Sequence, residues 1–262
     1  MGTISAFITS TGTECGKTFV TRGLAHALSL RGHNVAALKP IETGCSPDPL
    51  DALALAQACG KPALAHTPGF YRARLPLSPH AISLETGAPG PDIESLSQTV
   101  RALAHSHDFT LVEGAGGLLT PLDATRTLAD LALHLASPVI LVAPNRLGVL
   151  SHALTAVESA QSRGLRVSML ILSDHAPNLT PTNLQILAAR LPFPVLPFPF
   201  TPDNDALLAA SVEVSGLLSH LGPHPTRWLL RMTYTPLTLI LHRMLITPRA
   251  QILARAFRSA CP

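Results

Sequence analysis

The sequence contains few aromatic and few charged residues, and no apolar run reaches the roughly 20 residues that a membrane-spanning helix needs. Phe, Trp and Tyr make up 4% of the 262 residues and charged residues 13%, whereas 47% are hydrophobic. The core must therefore be built from Leu, Ala, Val and Ile, in a chain long enough for one α/β domain. The absent apolar run predicts that no segment spans a membrane.

Cysteines are also few, and a secretory leader is not indicated. Cys15, Cys45, Cys59 and Cys261 lack the spacing of a metal site. The first residues lack the charged start and the small-residue cleavage site of a signal peptide. Both observations predict a cytoplasmic protein with free thiols.

Negative charge is missing from the end of the sequence. No Asp or Glu follows Glu213, whereas six arginines do: Arg227, Arg231, Arg243, Arg249, Arg255 and Arg258. The other 13 of the 19 basic residues stand against 16 acidic ones, so no nucleic-acid-binding face is expected on the body. We predict a domain at residues 1–221 and a basic extension at residues 222–262. The extension either docks on a membrane surface or a partner, or is dispensable; its short apolar stripe favours the latter.

A phosphate-binding loop is indicated near the N-terminus. Residues 9–18 (TSTGTECGKT) follow an apolar run at residues 4–8 and precede a helix-like run at residues 19–30. In this arrangement backbone N–H groups face the anion, Lys17 contacts the outer phosphates and the Thr18 hydroxyl holds Mg²⁺. Thr11 occupies the position of the usual first glycine, so an ordinary strand–turn–helix with a surface lysine is the alternative.

Two further predicted strands end in residues suited to phosphate chemistry. Residues 34–38 lead into residues 39–44 (KPIETG), and residues 109–112 lead into residues 113–117 (EGAGG). Open α/β sheets carry their ligands at the carboxyl ends of strands. Lys39 and Glu113 are therefore expected near the phosphate loop.

Strands and helices alternate along most of the sequence. Further strands are predicted at residues 138–142, 165–172 and 194–196, with helices between them. A helix-like run starts at Asp51, and residues 203–221 are predicted to be mostly helical. The pattern predicts an α/β fold with a single doubly wound, mainly parallel sheet and helices on both faces, similar to P-loop NTPases. Residues 60–92 are rich in proline and are expected to form a long excursion with one short helix.

Several segments together resemble the dethiobiotin synthetase family. The resembling stretches occur in the family's order, and they are residues 11–18, 39–44, 51–55, 78–80 and 112–117, with a looser match at residues 147–153. Shared order of several motifs is far more specific than any one of them.

The resemblance implies an ATP- and Mg²⁺-dependent ligase of biotin biosynthesis. Such an enzyme carboxylates 7,8-diaminononanoate with CO2 and closes the ring through a carbamate and a carbamic-phosphoric anhydride, releasing ADP and phosphate. Lys17 and Lys39 are the implied catalytic cations, because two anions must approach one another in the site. Thr18, Asp51 and Glu113 are the implied ligands of Mg²⁺.

The resemblance also implies binding residues. Those for the nucleotide are Thr13, Glu14, Cys15, Gly16, Lys17, Thr18, Asp51, Glu113, Gly114, Ala115, Gly116, Ser173, Asp174, Pro199 and Phe200. Those for the substrate are Thr13, Lys39, Thr43, Gly148, Val149 and Ser151, of which the last three would contact the substrate carboxylate across a homodimer. Ser173 stands where the family usually has an asparagine that reads adenine. Residues 197–200 (PFPF) replace a more usual glycine-containing loop.

Three other classes of protein are less consistent with the sequence. A partition or septum-positioning ATPase with a membrane-associating tail is the main alternative, but Gly12 occupies the position of its signature lysine. A cobyrinate-type amidotransferase synthetase would need an additional glutaminase domain. A dinucleotide oxidoreductase would need a Gly-x-Gly-x-x-Gly turn after the first strand, which is absent.

Overall fold

A six-stranded parallel sheet forms the centre of the computed structural model, which describes residues 5–174 and 182–221. The strand order is β2-β5-β1-β6-β7-β8, and every pairing within this sheet is parallel. Its strands are β1 (Ala6–Ser10), β2 (Val35–Leu38), β5 (Phe109–Glu113), β6 (Val139–Pro144), β7 (Val167–Ser173) and β8 (Val195–Phe198). A separate two-stranded parallel sheet contains β3 (Ile41–Thr43) and β4 (Tyr71–Ala73).

Helices lie between most of the parallel strands, which a tight turn cannot connect. They are α1 (Lys17–Leu30), α2 (Leu50–Ala58), α3 (Pro79–Thr86), α4 (Ile93–His105), α5 (Leu128–Leu135), α6 (Val149–Ser162), α7 (Thr182–Arg190) and α8 (Asp205–Val214). The described helices include none that is both long and apolar enough to cross a membrane.

Both faces of the main sheet are covered by helices. Successive side chains of a strand point to opposite faces, so neighbouring residues of β1 belong to different clusters. Ile8 of β1 belongs to a buried cluster with Leu24 of α1 and Leu208 of α8. Its neighbour Phe7 belongs to a second cluster with Leu96 of α4 and Leu128 of α5. The predicted doubly wound α/β fold is therefore confirmed.

Two local predictions were incomplete. No strand was predicted directly after β2, yet residues 41–43 form β3, which pairs with β4 inside the proline-rich excursion. The helix expected over residues 203–221 ends at Val214, and a 3-10 turn follows at Leu217–His220. Gly216, with φ of 68°, separates the two. The predicted extension at residues 222–262 and Cys261 lie outside the described residues, so the domain boundary stays a prediction.

Candidate active site at the carboxyl edge of the sheet

The predicted phosphate loop joins the central strand β1 to helix α1. Glu14 and Gly16 have positive φ angles of 53° and 87°, which bend the chain tightly before the helix begins at Lys17. No side chain caps the first turn of α1, and that turn contains no acidic residue. The uncapped start of the helix and the positive end of its dipole suit an anion such as a phosphate.

Lys17 lies folded over this loop and is almost fully buried. Its Nζ donates to Ser10 Oγ at 3.1 Å and to the carbonyl oxygen of Gly12 at 3.4 Å. Burial lowers the pKa of Lys17, and the carboxylate of Glu113 partly opposes that shift. Both partners are neutral oxygens that a phosphate could replace. Sequence reasoning gave Ser10 no role, although a polar side chain at the end of a buried strand was a usable signal.

Four of the predicted residues meet beside the loop. Lys39 Nζ lies 2.7 Å from Asp51 Oδ2 and 2.7 Å from Glu113 Oε1. Thr18 Oγ1 donates to the same Glu113 oxygen at 3.0 Å. Register places Glu113 opposite Ile8, so the end of β5 lies next to the strand that feeds the phosphate loop. We call Thr18, Lys39, Asp51 and Glu113 the charged cluster.

The charged cluster is buried on one side and open on the other. Exposed fractions are 0% for Glu113, 5% for the Lys39 side chain and 44% for the Asp51 side chain. Burial lowers the pKa of Lys39, but Glu113 and Asp51 outweigh it and raise that pKa well above its ordinary value. For the Asp51 carboxyl group burial acts in the opposite direction and raises the pKa. Lys39 and Thr18 outweigh this effect, so the pKa of Asp51 is lowered. Lys39 is thus a fixed cation facing an open carboxylate.

The oxygens of this cluster fit a magnesium ion. Glu113 Oε2 is buried and has no hydrogen-bond partner among the described residues. A buried carboxylate oxygen without a partner is costly, so a cation there would satisfy it. Mg²⁺ prefers oxygen ligands and is usually held by one or two carboxylates together with phosphates. The Thr18 hydroxyl, which donates to Glu113 Oε1, is a further oxygen of this cluster that could face the ion.

The glycine-rich segment after β5 packs directly on the phosphate loop. The carbonyl oxygen of Gly116 accepts a hydrogen bond from Ser10 Oγ at 3.1 Å. At Gly117 an added Cβ would lie 3.3 Å from both Gly12 N and Ser10 O. Glycine is therefore needed here so that two backbones can approach.

We expect Gly117→Ala to lower the free energy of unfolding by about 1–3 kcal/mol, as overpacking of a tight contact does. The backbone atoms that the new methyl group meets cannot rotate away. Gly12→Ala is the matched control, because its Cβ would meet only Cys15 Sγ at 3.9 Å. Urea unfolding compares the two variants, and a wild-type midpoint for Gly117→Ala would contradict this packing.

The stability of the protein should depend on the charge of Asp51. Since its pKa lies below the ordinary 3.8, the stabilisation is fully present above that pH and is lost as the pH falls through the folded-state pKa. Without Lys39 the pKa of Asp51 loses the largest of the effects that lower it. Unfolding by urea across acidic pH should therefore show a shallower pH dependence for Lys39→Ala than for the wild type, and equal slopes would contradict the pairing.

The predicted base-contacting residues lie at the ends of β7 and β8. The Ser173 hydroxyl faces the start of α1, since a Cβ added to Gly16 would lie 2.6 Å from it. Asp174 donates its backbone N–H to the carbonyl oxygen of Phe198 at 2.9 Å. Beyond β8, Pro199 is half-buried and Phe200 is 65% exposed. These positions share the carboxyl edge with the phosphate loop, and contact with a base stays a prediction.

A buried polar network next to Ser173 was not predicted. Asn145 Nδ2 donates to Asp174 Oδ1 at 2.8 Å, and Asn183 Nδ2 donates to Asn145 Oδ1 at 3.0 Å. Both asparagines are nearly buried. The network ties the loop after β6 to α7, and the only sequence signal was an asparagine directly after a buried strand.

The remaining predicted residues lie around this centre. Thr13 and Glu14 are exposed on the phosphate loop, and Cys15 Sγ is buried and donates to the carbonyl oxygen of Thr13 at 3.3 Å. Ala115 and Gly114 follow Glu113 directly, and Thr43 ends β3. Gly148, Val149 and Ser151 form the start of α6, where no side chain caps the helix. Within the described residues, no hydrogen bond or ion pair joins that helix start to the charged cluster.

Sequence relatives cover most of the chain. A family model described as an AAA domain matches residues 5–203. The ATP-dependent dethiobiotin synthetase BioD of Pseudomonas aeruginosa strain UCBPP-PA14 is 41% identical over 199 residues, which is 72% of this chain and 86% of the relative. The proteins of the same name from Caulobacter sp. strain K31 and Anaeromyxobacter sp. strain K are 38% and 37% identical, over 79% and 89% of their lengths and 67% and 73% of this chain.

Solved structures share the fold at much lower identity. The MinD cell division protein of Aquifex aeolicus superposes with a TM-score of 0.52 at 15% identity, covering 85% of this chain and 99% of that one. Chloroplast FtsY from Physcomitrella patens gives 0.50 at 18% identity, covering 81% and 65%. Such likeness establishes the fold alone and does not favour the septum-positioning alternative. The sequence relatives decide the family, and the chain belongs to the ATP-dependent dethiobiotin synthetases.

Proposed function

We propose that this ligase uses ATP and Mg²⁺ to carboxylate 7,8-diaminononanoate with CO2 and to close the ureido ring of dethiobiotin. The observation that carries the proposal is the buried Lys39 at the edge of the phosphate loop, bridging Asp51 and Glu113 at 2.7 Å each. A simple nucleotide hydrolase needs only to place water beside the γ-phosphate. A second fixed cation suits an anionic second substrate.

The proposed chemistry brings a carbamate to a triphosphate. One amine of the substrate takes up CO2, and a carbamate oxygen attacks the γ-phosphorus and displaces ADP. The second amine then attacks the carbamoyl carbon and expels phosphate, which leaves with that carbamate oxygen. Two anions meet in this sequence, so charge must be neutralised in a site with little water. Lys17 would face the phosphates and Lys39 the carbamate.

Other residues would position the two substrates. Thr18, Asp51 and Glu113 would hold Mg²⁺, which when bound neutralises charge on the phosphate oxygens. Thr13 and Thr43 carry hydroxyls beside the loop and at the end of β3, suited to the carbamate or the diamine end. Hydroxyl groups can bind and orient these polar substrate groups. The proposed reaction needs no protein nucleophile.

The far ends of both substrates would be bound outside the charged cluster. The uncapped start of α6, at Gly148, Val149 and Ser151, offers N–H groups to the substrate carboxylate from the neighbouring subunit of a homodimer. Residues at the ends of β7 and β8, Ser173 to Asp174 and Pro199 to Phe200, would contact the base. Residues 1–221 would contain the complete catalytic domain.

We propose that the enzyme works in the cytoplasm. Cys15, Cys45 and Cys59 are free and buried. Burial raises the pKa of the Cys45 and Cys59 thiols, which keeps them protonated and unreactive. Free, unreactive thiols are typical of reducing compartments.

Transfer of oxygen tests this chemistry. With bicarbonate labelled by heavy oxygen in unlabelled water, early turnovers should release phosphate that carries one labelled oxygen. Hydrolysis of ATP by water would give unlabelled phosphate under the same conditions. Mass spectrometry of the phosphate separates the two, and unlabelled phosphate from early turnovers would reject the carbamate route.

A further inference from the structure

The two-stranded sheet β3–β4 stands directly against the charged cluster. It begins two residues after Lys39, and its parallel register pairs Glu42 with Arg72. Tyr71 N donates to the carbonyl oxygen of Pro40 at 2.8 Å, which fixes the start of this pairing. Neither Glu42 nor Arg72 belongs to the catalytic or binding residues assigned above.

Glu42 caps helix α2 from outside the helix. Its Oε1 accepts the backbone N–H of Asp51 at 2.9 Å, and its Oε2 accepts that of Ala52 at 3.0 Å. The residue that precedes α2 is Pro49, which provides no side-chain cap. Both oxygens of a buried carboxylate are thus used to hold the backbone that carries the Asp51 side chain.

Arg72 holds the backbone of Lys39, the residue that pairs with Asp51. Its Nη1 donates to the carbonyl oxygen of Lys39 at 2.9 Å and to that of Tyr71 at 2.9 Å. Its Nη2 donates to the carbonyl oxygen of Ala65 at 3.1 Å. Burial lowers the pKa of Arg72, and the charge of Glu42 opposes that shift, so the two groups also stabilise one another.

We propose that Glu42 and Arg72 are positioning residues that set the distance between Lys39 and Asp51 from opposite sides. The Glu42 carboxylate fixes the backbone of Asp51, and the Arg72 guanidinium fixes the backbone of Lys39. Their own alignment is fixed by the register of β3 on β4. The proposal rests on the proposed function, because it assigns these residues to the geometry in which the second cation and the magnesium ligand work together.

The physical consequence is an effect on rate rather than on substrate affinity. A displacement of about 1 Å in a catalytic group can cost a hundredfold in rate. Residues that orient the ligands of a metal typically contribute about 10- to 100-fold in affinity or activity. Both carboxylate oxygens of Glu42 are used by the backbone N–H groups of Asp51 and Ala52, so we expect the KM for the diamine to change little.

Two substitutions at Glu42, one at Arg72 and one control at Asp92 test the positioning role. Glu42→Ala removes both acceptors, whereas Glu42→Gln keeps the side-chain volume and one acceptor oxygen. Asp92→Ala is the matched control, because the Asp92 carboxylate caps α4 in the same way through the backbone N–H groups of Glu94 and Ser95, away from the site. Arg72→Lys keeps the charge but cannot reproduce the forked contacts of the guanidinium.

Each variant is measured as the full-length protein by three methods. Steady-state kinetics gives kcat and the KM for the diamine, and calorimetry gives the affinity for ADP with and without Mg²⁺. Thermal unfolding reports folding. For Glu42→Ala we expect kcat to fall about 10- to 100-fold and the gain in ADP affinity from Mg²⁺ to shrink, with ADP affinity in the absence of Mg²⁺ unchanged. Glu42→Gln should be intermediate, and Asp92→Ala should lose stability while keeping the wild-type kcat.

Two results would overturn the positioning role. One is a folded Glu42→Ala with wild-type kcat and wild-type magnesium dependence, and the other is an equal loss of kcat in Asp92→Ala. If Glu42→Ala does not fold, Glu42→Gln and Arg72→Lys decide, and wild-type kcat in both would overturn it. A wild-type protein that shows no diamine-dependent turnover would instead reject the proposed function.

Discussion

Lys39→Ala should lower kcat by about a thousandfold or more, the scale on which a single transition-state cation contributes to phosphoryl transfer. The side chain is the buried cation between Asp51 and Glu113, and among the described residues no other lysine forms an ion pair with either carboxylate. Lys17 cannot replace it, because its Nζ is directed at the phosphate loop. Phosphate release measured at saturating diamine, bicarbonate and ATP gives the effect.

The same substitution should also reduce stability, because it leaves Glu113 buried without its cation. Breaking a buried ion pair from one side costs about 3–5 kcal/mol. The double variant Lys39→Ala, Glu113→Gln should recover part of that stability and none of the activity. Lys61→Ala is the control, since Lys61 donates to Asn34 Oδ1 and to the carbonyl oxygen of Val35 and, among the described residues, forms no ion pair with Asp51 or Glu113. A wild-type kcat for Lys39→Ala would remove Lys39 from the chemistry.

Glu113→Gln is expected to have the second largest effect, a loss of at least about a hundredfold in kcat. Gln keeps the shape of the side chain and can still accept from Thr18 and Lys39 through one oxygen. It removes the charge and replaces the unpartnered Oε2 with an amide group, which cannot bind a cation. The magnesium concentration that gives half-maximal turnover should therefore rise.

The control for Glu113→Gln is the same change at Glu94, an exposed residue in the first turn of α4. Its kcat and magnesium dependence should equal those of the wild type. Retained turnover with unchanged magnesium dependence in Glu113→Gln would show that this carboxylate does not hold the metal. Loss of both in Glu94→Gln would point to a general effect of the substitution.

The main sheet was predictable because its strands are continuous apolar runs that end in recognisable turns. The apolar runs at residues 4–8 and 109–112 predicted strands at nearly the observed positions, and β5 is extended by Glu113, a residue type that strand propensity does not favour. The β3–β4 sheet was not predictable in the same way. Each strand has three residues, Pro40 precedes the first, and the partner strand lies far along a proline-rich segment.

The charged cluster was predictable as a set of residues but not as an arrangement. Strand ends placed Lys39 and Glu113 at one edge of the sheet, and the family resemblance supplied Asp51. Lys39 contacts the carboxylates of both Asp51 and Glu113. These contacts depend on how far the side chains reach, which a sequence does not show. The role of Glu42 was not predictable, because a carboxylate that caps a helix beginning eight residues later leaves no local sequence pattern.

The central claim is that phosphate transfer in this enzyme serves a carbamate formed on a diamine. Its most direct test is phosphate release from ATP by the full-length protein, measured with 7,8-diaminononanoate and bicarbonate present together and with each left out in turn. We predict sustained release only when both are present. Sustained release of equal rate without the diamine or without bicarbonate would contradict the claim.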